Sequence, residues 1–240
     1  MFYHRLLRRL RRSVLDRIDL GDLRRTRPVS KVWGFDRGTP VDRVFMESFL
    51  GDHAEDIRGT ALEIGDDVYT RRFGGTAVER CEVLHAAEGN PKATWVADLA
   101  TADAVPTGRF DVIVCTQTLQ IVPEIGATVD HLYRMLKPAG VLLVTVPGIS
   151  KVYHDEHSDR WQDFWHLNPR SLRWLLERKF PADRVEARSF GNVLTATAFL
   201  HGLAAEELEA RELDEHDPDF PVLVAGRAVK PEDGDADSGV

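Results

Sequence analysis

Four polar side chains, Glu63, His85, Asp98 and Thr116, each stand at or just past the end of a short apolar run. In open α/β sheets ligands bind in the crevice beyond the carboxyl ends of the strands, so polar groups recurring there outline a nucleotide-type binding site. A second constellation, His154, Asp155, Glu156, His157 and Asp159, lies in the polar and aromatic stretch from Gly148 to Trp161. A neutral imidazole titrates near working pH and can take a proton from a hydroxyl, which makes His154 and His157 the candidate bases. Together the five groups could hold a divalent ion that orients a diol, but their spacing fits no specific metal motif, and no metal ligands are assigned. His166, just before a capped helix, reads as structural, with a substrate-wall role left open.

The elements that must position these groups are legible in the hydropathy. The runs Thr60–Ile64, Glu82–His85, Thr94–Ala97, Phe110–Cys115 and Gly140–Pro147 are continuously apolar rather than alternating, as in strands covered on both faces. Only about seven residues separate the second and third runs, too few for a crossover helix. Thr39, Pro40 and Asp42 suit an N-cap, a first helical position and a first turn, predicting a helix from Pro40 to about Leu50. The loop before it, Trp33 to Gly38, is either a flap over the site or an ordinary connector. Asn168-Pro169 predicts another capped helix running to about Phe180. Strands are expected over 184–190 and 221–229, with a helix over 201–211 between them, and an acidic tail, 231–240, is expected to be disordered.

Several motifs occur in order and at fitting spacing: Glu63-Ile64-Gly65, then Ala97-Asp98-Leu99, then Gly108-Arg109-Phe110-Asp111-Val112-Ile113-Val114, then Leu132-Tyr133-Arg134-Met135-Leu136-Lys137-Pro138-Ala139-Gly140. On these the chain resembles the class I S-adenosylmethionine-dependent methyltransferases, type 11-like, and bacterial members associated with polysaccharide and glycoside biosynthesis. The resemblance implies an α/β, Rossmann-like, mostly parallel sheet with helices on both faces and a C-terminal antiparallel strand pair. It implies an N-terminal helical extension and cap over 1–58, a methyltransferase domain over 59–230 and a tail over 231–240. S-adenosyl-L-methionine is the implied cofactor, with Glu63, Gly65, Asp67, Glu88, Asp98, Thr116 and Gln117 as its binding residues. Glycines are usual in the family where Asp67 and Tyr69 stand, and an acid where Ala87 stands, with Glu88 its nearest substitute. Asp66 or Asp67 is expected to cap a short helix running to Phe73. The implied activity is O-methylation of a sugar, glycoside or other small-molecule acceptor, with a histidine base. A catalytically inactive scaffold or regulator, anchored through a basic N-terminal helix, is the rival reading.

A chain of 240 residues can bury a sizeable core without disulfides or metals. Its two cysteines, Cys81 and Cys115, fall in or beside predicted strands and read as reduced core residues. No stretch approaches the length of an apolar membrane span, and no signal core is present, so a soluble, cytoplasmic protein is expected. The net charge of −8 hides an asymmetry, since residues 1–27 carry nine arginines against three aspartates. Apolar residues there recur at helical spacing over 2–19, predicting a basic amphipathic helix that contacts a membrane surface or a partner, or docks on its own domain or a second subunit of a homodimer. Nucleic acid is not expected as a partner, because the remainder is acidic and carries no recognition pattern.

Overall fold

The computed structural model describes residues 21–154 and 161–232. The helix expected over 2–19, the residues Asp155, Glu156, His157 and Asp159, and most of the acidic tail lie outside them. Among the described residues no helix is long and apolar enough to cross a membrane.

Seven strands form one sheet in the order β3-β2-β1-β4-β5-β7-β6. They are β1 (Gly59–Ile64), β2 (Val78–His85), β3 (Trp95–Val96), β4 (Phe110–Thr116), β5 (Leu136–Pro147), β6 (Val185–Phe190) and β7 (Leu223–Val229). The first five pair in parallel, and β7 runs antiparallel to both β5 and β6. The fold is thus the mostly parallel, Rossmann-like sheet with a C-terminal antiparallel pair.

Each continuous apolar run supplies both faces at once, because successive side chains point to opposite sides of the sheet. Leu62, Ile113, Leu142 and Val144 enter one core, beneath α2 (Ile125–Met135) and α3 (Pro169–Leu176). Their neighbours Ala61, Val112, Val114 and Leu143 enter the other, beneath α1 (Val41–Asp52) and α4 (Val193–His201). The N-terminal cap segment therefore contributes α1, through Phe45, Met46, Phe49 and Leu50, to the main body of the protein. Cys115 is buried and Cys81 half-buried, both free, and burial raises their thiols to about 12 and about 11.

Local chemistry explains where the sequence-based elements shift. The helix at Asn168 forms with a complete capping box to Ser171 and buries Leu172, Leu175 and Leu176, as expected, but ends at Leu176. Thr39 does not cap α1, because its hydroxyl and amide both donate to Glu206, at 2.7 and 2.9 Å; Pro40 takes the N-cap position. The helix expected over 201–211 lies instead at 193–201. Asn192 caps it by accepting from Leu194 and Thr195, and Gly202, left-handed at φ 69°, ends it. Beyond Gly202 only a single turn, Ala205–Glu207, and a short helix α5 (Ala210–Asp214) form, since Glu206 and Glu207 are drawn to Thr39 and Arg37. No helix joins β2 to β3.

One buried charge ties the sheet's edge together. Glu82, 1% exposed on β2, accepts from Trp95 Nε1 at 2.7 Å and from the Arg109 guanidinium, and pairs with Arg80. Burial pushes its carboxyl up, but the Arg109 and Trp95 hydrogen bonds outweigh this and hold it below the usual carboxylate range. Replacing Glu82 by Ala strands Arg109 and the indole N–H, and is expected to cost about 3 kcal/mol in urea unfolding. Because the folded-state carboxyl is the stronger acid, this stabilisation is present at neutral pH and lost as the pH falls through the acid range. A Glu82→Gln protein should show a flatter loss of stability below neutral pH than the parent.

Candidate functional site

The strand order reverses between β1 and β4, and the crevice beyond their carboxyl ends is a cavity of 570 Å³. Four strand ends on that side contribute to its wall: Gly65 after β1, His85 and Ala86 at the end of β2, Asp98 after β3, and Thr116 at the end of β4 with Gln117 and Thr118 after it. Arg43 from α1 and Trp161 and Phe164 from the segment after β5 complete it.

Gly65 adopts φ 94°, and a Cβ placed there would meet nothing within 4 Å. Its amide donates to Leu84 O at 2.9 Å, while Asn90 Nδ2 donates to its carbonyl at 2.8 Å. The bend therefore presents bare backbone to open space, a cradle for a ligand that approaches the main chain. Glu63 does not line the cavity. It is 2% exposed and accepts from the backbone N–H groups of Thr70 and Tyr69 at 2.7 and 3.2 Å, which fixes the start of the π-helical turn Thr70–Gly74. Burial raises its carboxyl, and these hydrogen bonds oppose the rise. It is Glu63, not the side chain of Asp66 or Asp67, that satisfies this turn's free amides. Its action on the site is to hold the loop.

Asp67 also stays off the wall: Lys92 Nζ donates to it at 2.7 Å and Arg71 pairs with it, so its carboxyl is held well below the ordinary range, chiefly by Lys92 and then by Arg71. Tyr69, the other residue at a position usually glycine, turns into the core beneath α1 and stacks with Phe73 at 6.4 Å. Both side chains thus leave the bend at Gly65 clear. Asp98 lines the cavity while accepting from Ala100 N at 2.9 Å, combining a cap with a wall position. Glu88 is exposed in the loop after β2 and absent from the wall. The polar group at the end of β2 is His85 instead, its Nδ1 2.7 Å from Ala87 O. The strand end itself is the sequence signal for His85.

A second cavity of 340 Å³ shares Arg43, Gln117, Ile121 and Trp161 with the first. Its other walls include Trp33, Phe35, Asp42, Gln120, Tyr153 and Asp163. The sequence marks Asp42 only as a first-turn residue of a helix and gives Arg43 and Gln120 no signal, because a helix N-terminus and a turn after β4 carry no site motif of their own. The Trp33 loop does reach the site, since Trp33 and Phe35 are in this wall, and between them Gly34, at φ 92°, packs where a Cβ would stand 2.9 Å from Leu203 O. His154 is exposed, bridges to Gln162, and lines neither cavity. His157 lies outside the described residues. His166 Nε2 is 3.4 Å from Asp163 Oδ2, a structural contact.

The sequence profile of a methyltransferase domain matches residues 24–194, and the chain belongs to that family. With the sheet order, this defines an S-adenosylmethionine-dependent methyltransferase. Among solved structures the fold is similar to that of a SAM-dependent methyltransferase from Archaeoglobus fulgidus, at 14% identity and TM-score 0.52, covering 78% of this chain and 94% of that one. It is also similar to the 1,6-didemethyltoxoflavin-N1-methyltransferase of Burkholderia thailandensis, at 14% identity and TM-score 0.50, covering 84% and 82%. The cyclase SpnF matches at 15% identity and TM-score 0.51, covering 82% and 84%. No curated protein matches the sequence. The cradle at Gly65 and a cavity within the usual size range of cofactor pockets fit the donor molecule.

Gly65→Ala forces a side chain into the left-handed region and into the cavity. It should destabilise the protein by about 1 kcal/mol and weaken binding of S-adenosylhomocysteine in calorimetric titration. Unchanged affinity would remove the β1 bend from the cofactor site.

Proposed function

We propose that the protein transfers a methyl group from S-adenosylmethionine to a hydroxyl of a small-molecule acceptor, of the sugar or glycoside type. The observation that supports this most directly is the pair of adjoining cavities: one at the strand ends for the donor, the other walled by aromatic rings for the acceptor, with Arg43, Gln117, Ile121 and Trp161 common to both. S-adenosylmethionine, when bound, supplies a methyl group already activated on a sulfonium. The chain's own residues need only hold the acceptor in line, exclude water and receive a proton.

In this reading Gly65, Asp98, Thr116 and Gln117 bind the cofactor as the motifs imply, and His85 takes part at the end of β2. Glu63 acts through the loop it caps. Asp67 and Glu88 contribute at most from outside the wall. The histidine base of the sugar methyltransferase reading is His154 or His157; His154 stands outside the lining of both cavities, and His157 lies outside the described residues. The aromatic surface around the second cavity supports a ring-shaped acceptor.

Among the described residues Arg43 is the one permanently cationic side chain in the wall of the larger cavity, and the cofactor has one carboxylate. Arg43 also acts on the Tyr69 phenol: burial raises that group, and the guanidinium opposes the rise. A residue at a usual glycine position is thereby coupled to a cation that can meet the aminoacyl end.

Calorimetry with S-adenosylhomocysteine tests the reading: saturable binding is expected, and none at millimolar ligand would favour the non-catalytic scaffold. Arg43→Ala should weaken S-adenosylhomocysteine about tenfold or more, while methylthioadenosine, which lacks the carboxylate, should lose far less. Equal losses for the two ligands would detach Arg43 from the aminoacyl group.

A further inference from the structure

The smaller cavity carries polar atoms that the protein itself leaves unmatched. Asp42 and Gln120 are each 8% exposed, yet Asp42 Oδ1 and Gln120 Oε1 have no hydrogen-bond partner, and neither has Gln117 Nε2. All three residues line this cavity. Buried polar atoms without partners are uncommon in folded proteins and cost free energy unless a ligand or water meets them.

The two glutamines touch each other, with Gln120 Nε2 donating to Gln117 Oε1 at 3.2 Å. Turning both amides over would reverse that bond but would still leave one donor and one acceptor free. Adding the carboxylate oxygen, the site offers two acceptors and one donor. A partner that matches them presents two donors and one acceptor.

The backbone is also held in a costly conformation here. Three described residues other than glycine have positive φ, and two of them, Trp33 at 58° and Gln117 at 47°, are walls of this cavity. Gln117 is kept there by its amide, which donates to Thr145 O at 2.9 Å. Strain of this kind persists where surrounding structure enforces it, often at a ligand clamp.

Charge decides between kinds of partner. An aromatic cage beside a carboxylate would ordinarily suit an ammonium group. Here the protein's own cations already occupy the ring faces: Lys151 Nζ stands 3.7 Å from the centre of Trp33, and the Arg43 guanidinium 5.8 Å from that of Phe35. Burial lowers the Lys151 ammonium and raises the Asp42 carboxyl, so further charge is unwelcome there.

We propose that this cavity recognises the vicinal hydroxyl pair of an uncharged six-membered ring, with Asp42 and Gln120 accepting from the two hydroxyls and the Gln117 amide donating to one of them. The flat face of the ring lies against the aromatic walls that no cation among the described residues covers, Tyr153 and Trp161. The site rests on the methyltransferase reading only in being the acceptor side of it. A catechol and a pyranoside share the recognised chemistry, and the probes separate them.

The test is titration of the full chain, with and without S-adenosylhomocysteine, by catechol and by the 4-nitrophenyl pyranosides of glucose, mannose and rhamnose, followed by ligand-observed NMR. Saturable binding of catechol or of at least one glycoside is expected, with Asp42→Asn and Gln120→Leu each weakening it about tenfold or more while S-adenosylhomocysteine affinity stays within a factor of about two. On the parent protein, catechol should bind better than its monomethyl ether, or the glycoside better than its analogue lacking one of the paired hydroxyls, a comparison that needs no variant. Binding unchanged in both variants, or no saturable binding of any probe, would overturn the proposal. Failure of S-adenosylhomocysteine alone to bind would sink the methyltransferase reading, and the probe titrations without it would still judge the diol site.

Discussion

The reversal of strand order between β1 and β4 is the constraint on which the rest depends. A parallel sheet covered on both faces cannot admit a ligand from above or below, because both surfaces are filled by α1, α2, α3 and α4. Where the chain, having built β1, β2 and β3 outward, returns to lay β4 beside β1, the connections leave in opposite directions and a crevice opens at the strand ends. Gly65 and Gln117 stand on its two sides, each with positive φ, because each must bend the chain sharply away from its strand. The cavity is thus a consequence of topology before it is a consequence of any side chain.

Side chains then divide the opening into two chambers of different character. The larger is walled by backbone bends and strand-end polar groups, suited to a ligand recognised along its length. The smaller is walled by aromatic rings and by amides and a carboxylate whose partners are missing. Gln117 and Arg43 belong to both, so a change at either is felt by both ligands. The departures from the family's glycine pattern are absorbed without closing the bend: Asp67 is taken up by Lys92 and Arg71, and Tyr69 by the core beneath α1. The fold by itself does not decide the chemistry, since SpnF, called a cyclase, shares it.

The central strands β1, β4 and β5 were legible because each carries a continuous apolar run, and burial on both faces demands that composition, whereas β6 at the sheet edge alternates. The helix at Asn168 was legible because its cap is local, a side chain bonding to amides three residues on. The helix over 193–201 was missed for the opposite reason. It is apolar nearly throughout, with no amphipathic stripe, while the charged segment after it looks more helical by propensity and is instead drawn into contacts with Arg37 and Thr39, residues far away in sequence.

The sequence alone determined the strands, the helices that begin near Pro40 and Asn168 and the set of strand ends from which a site had to be built, since these follow from periodicity and local capping. It also named Gly65, Asp98, Thr116 and Gln117, which the fold brings to one wall. Only the tertiary structure decided that Glu63 and Asp67 serve the loop rather than the cavity, that His85 and not Glu88 closes the end of β2, and that Asp42, Arg43 and Gln120 meet at a second chamber. Those outcomes depend on which way a side chain turns and on partners distant in the chain, and neither is encoded in any short run of residues.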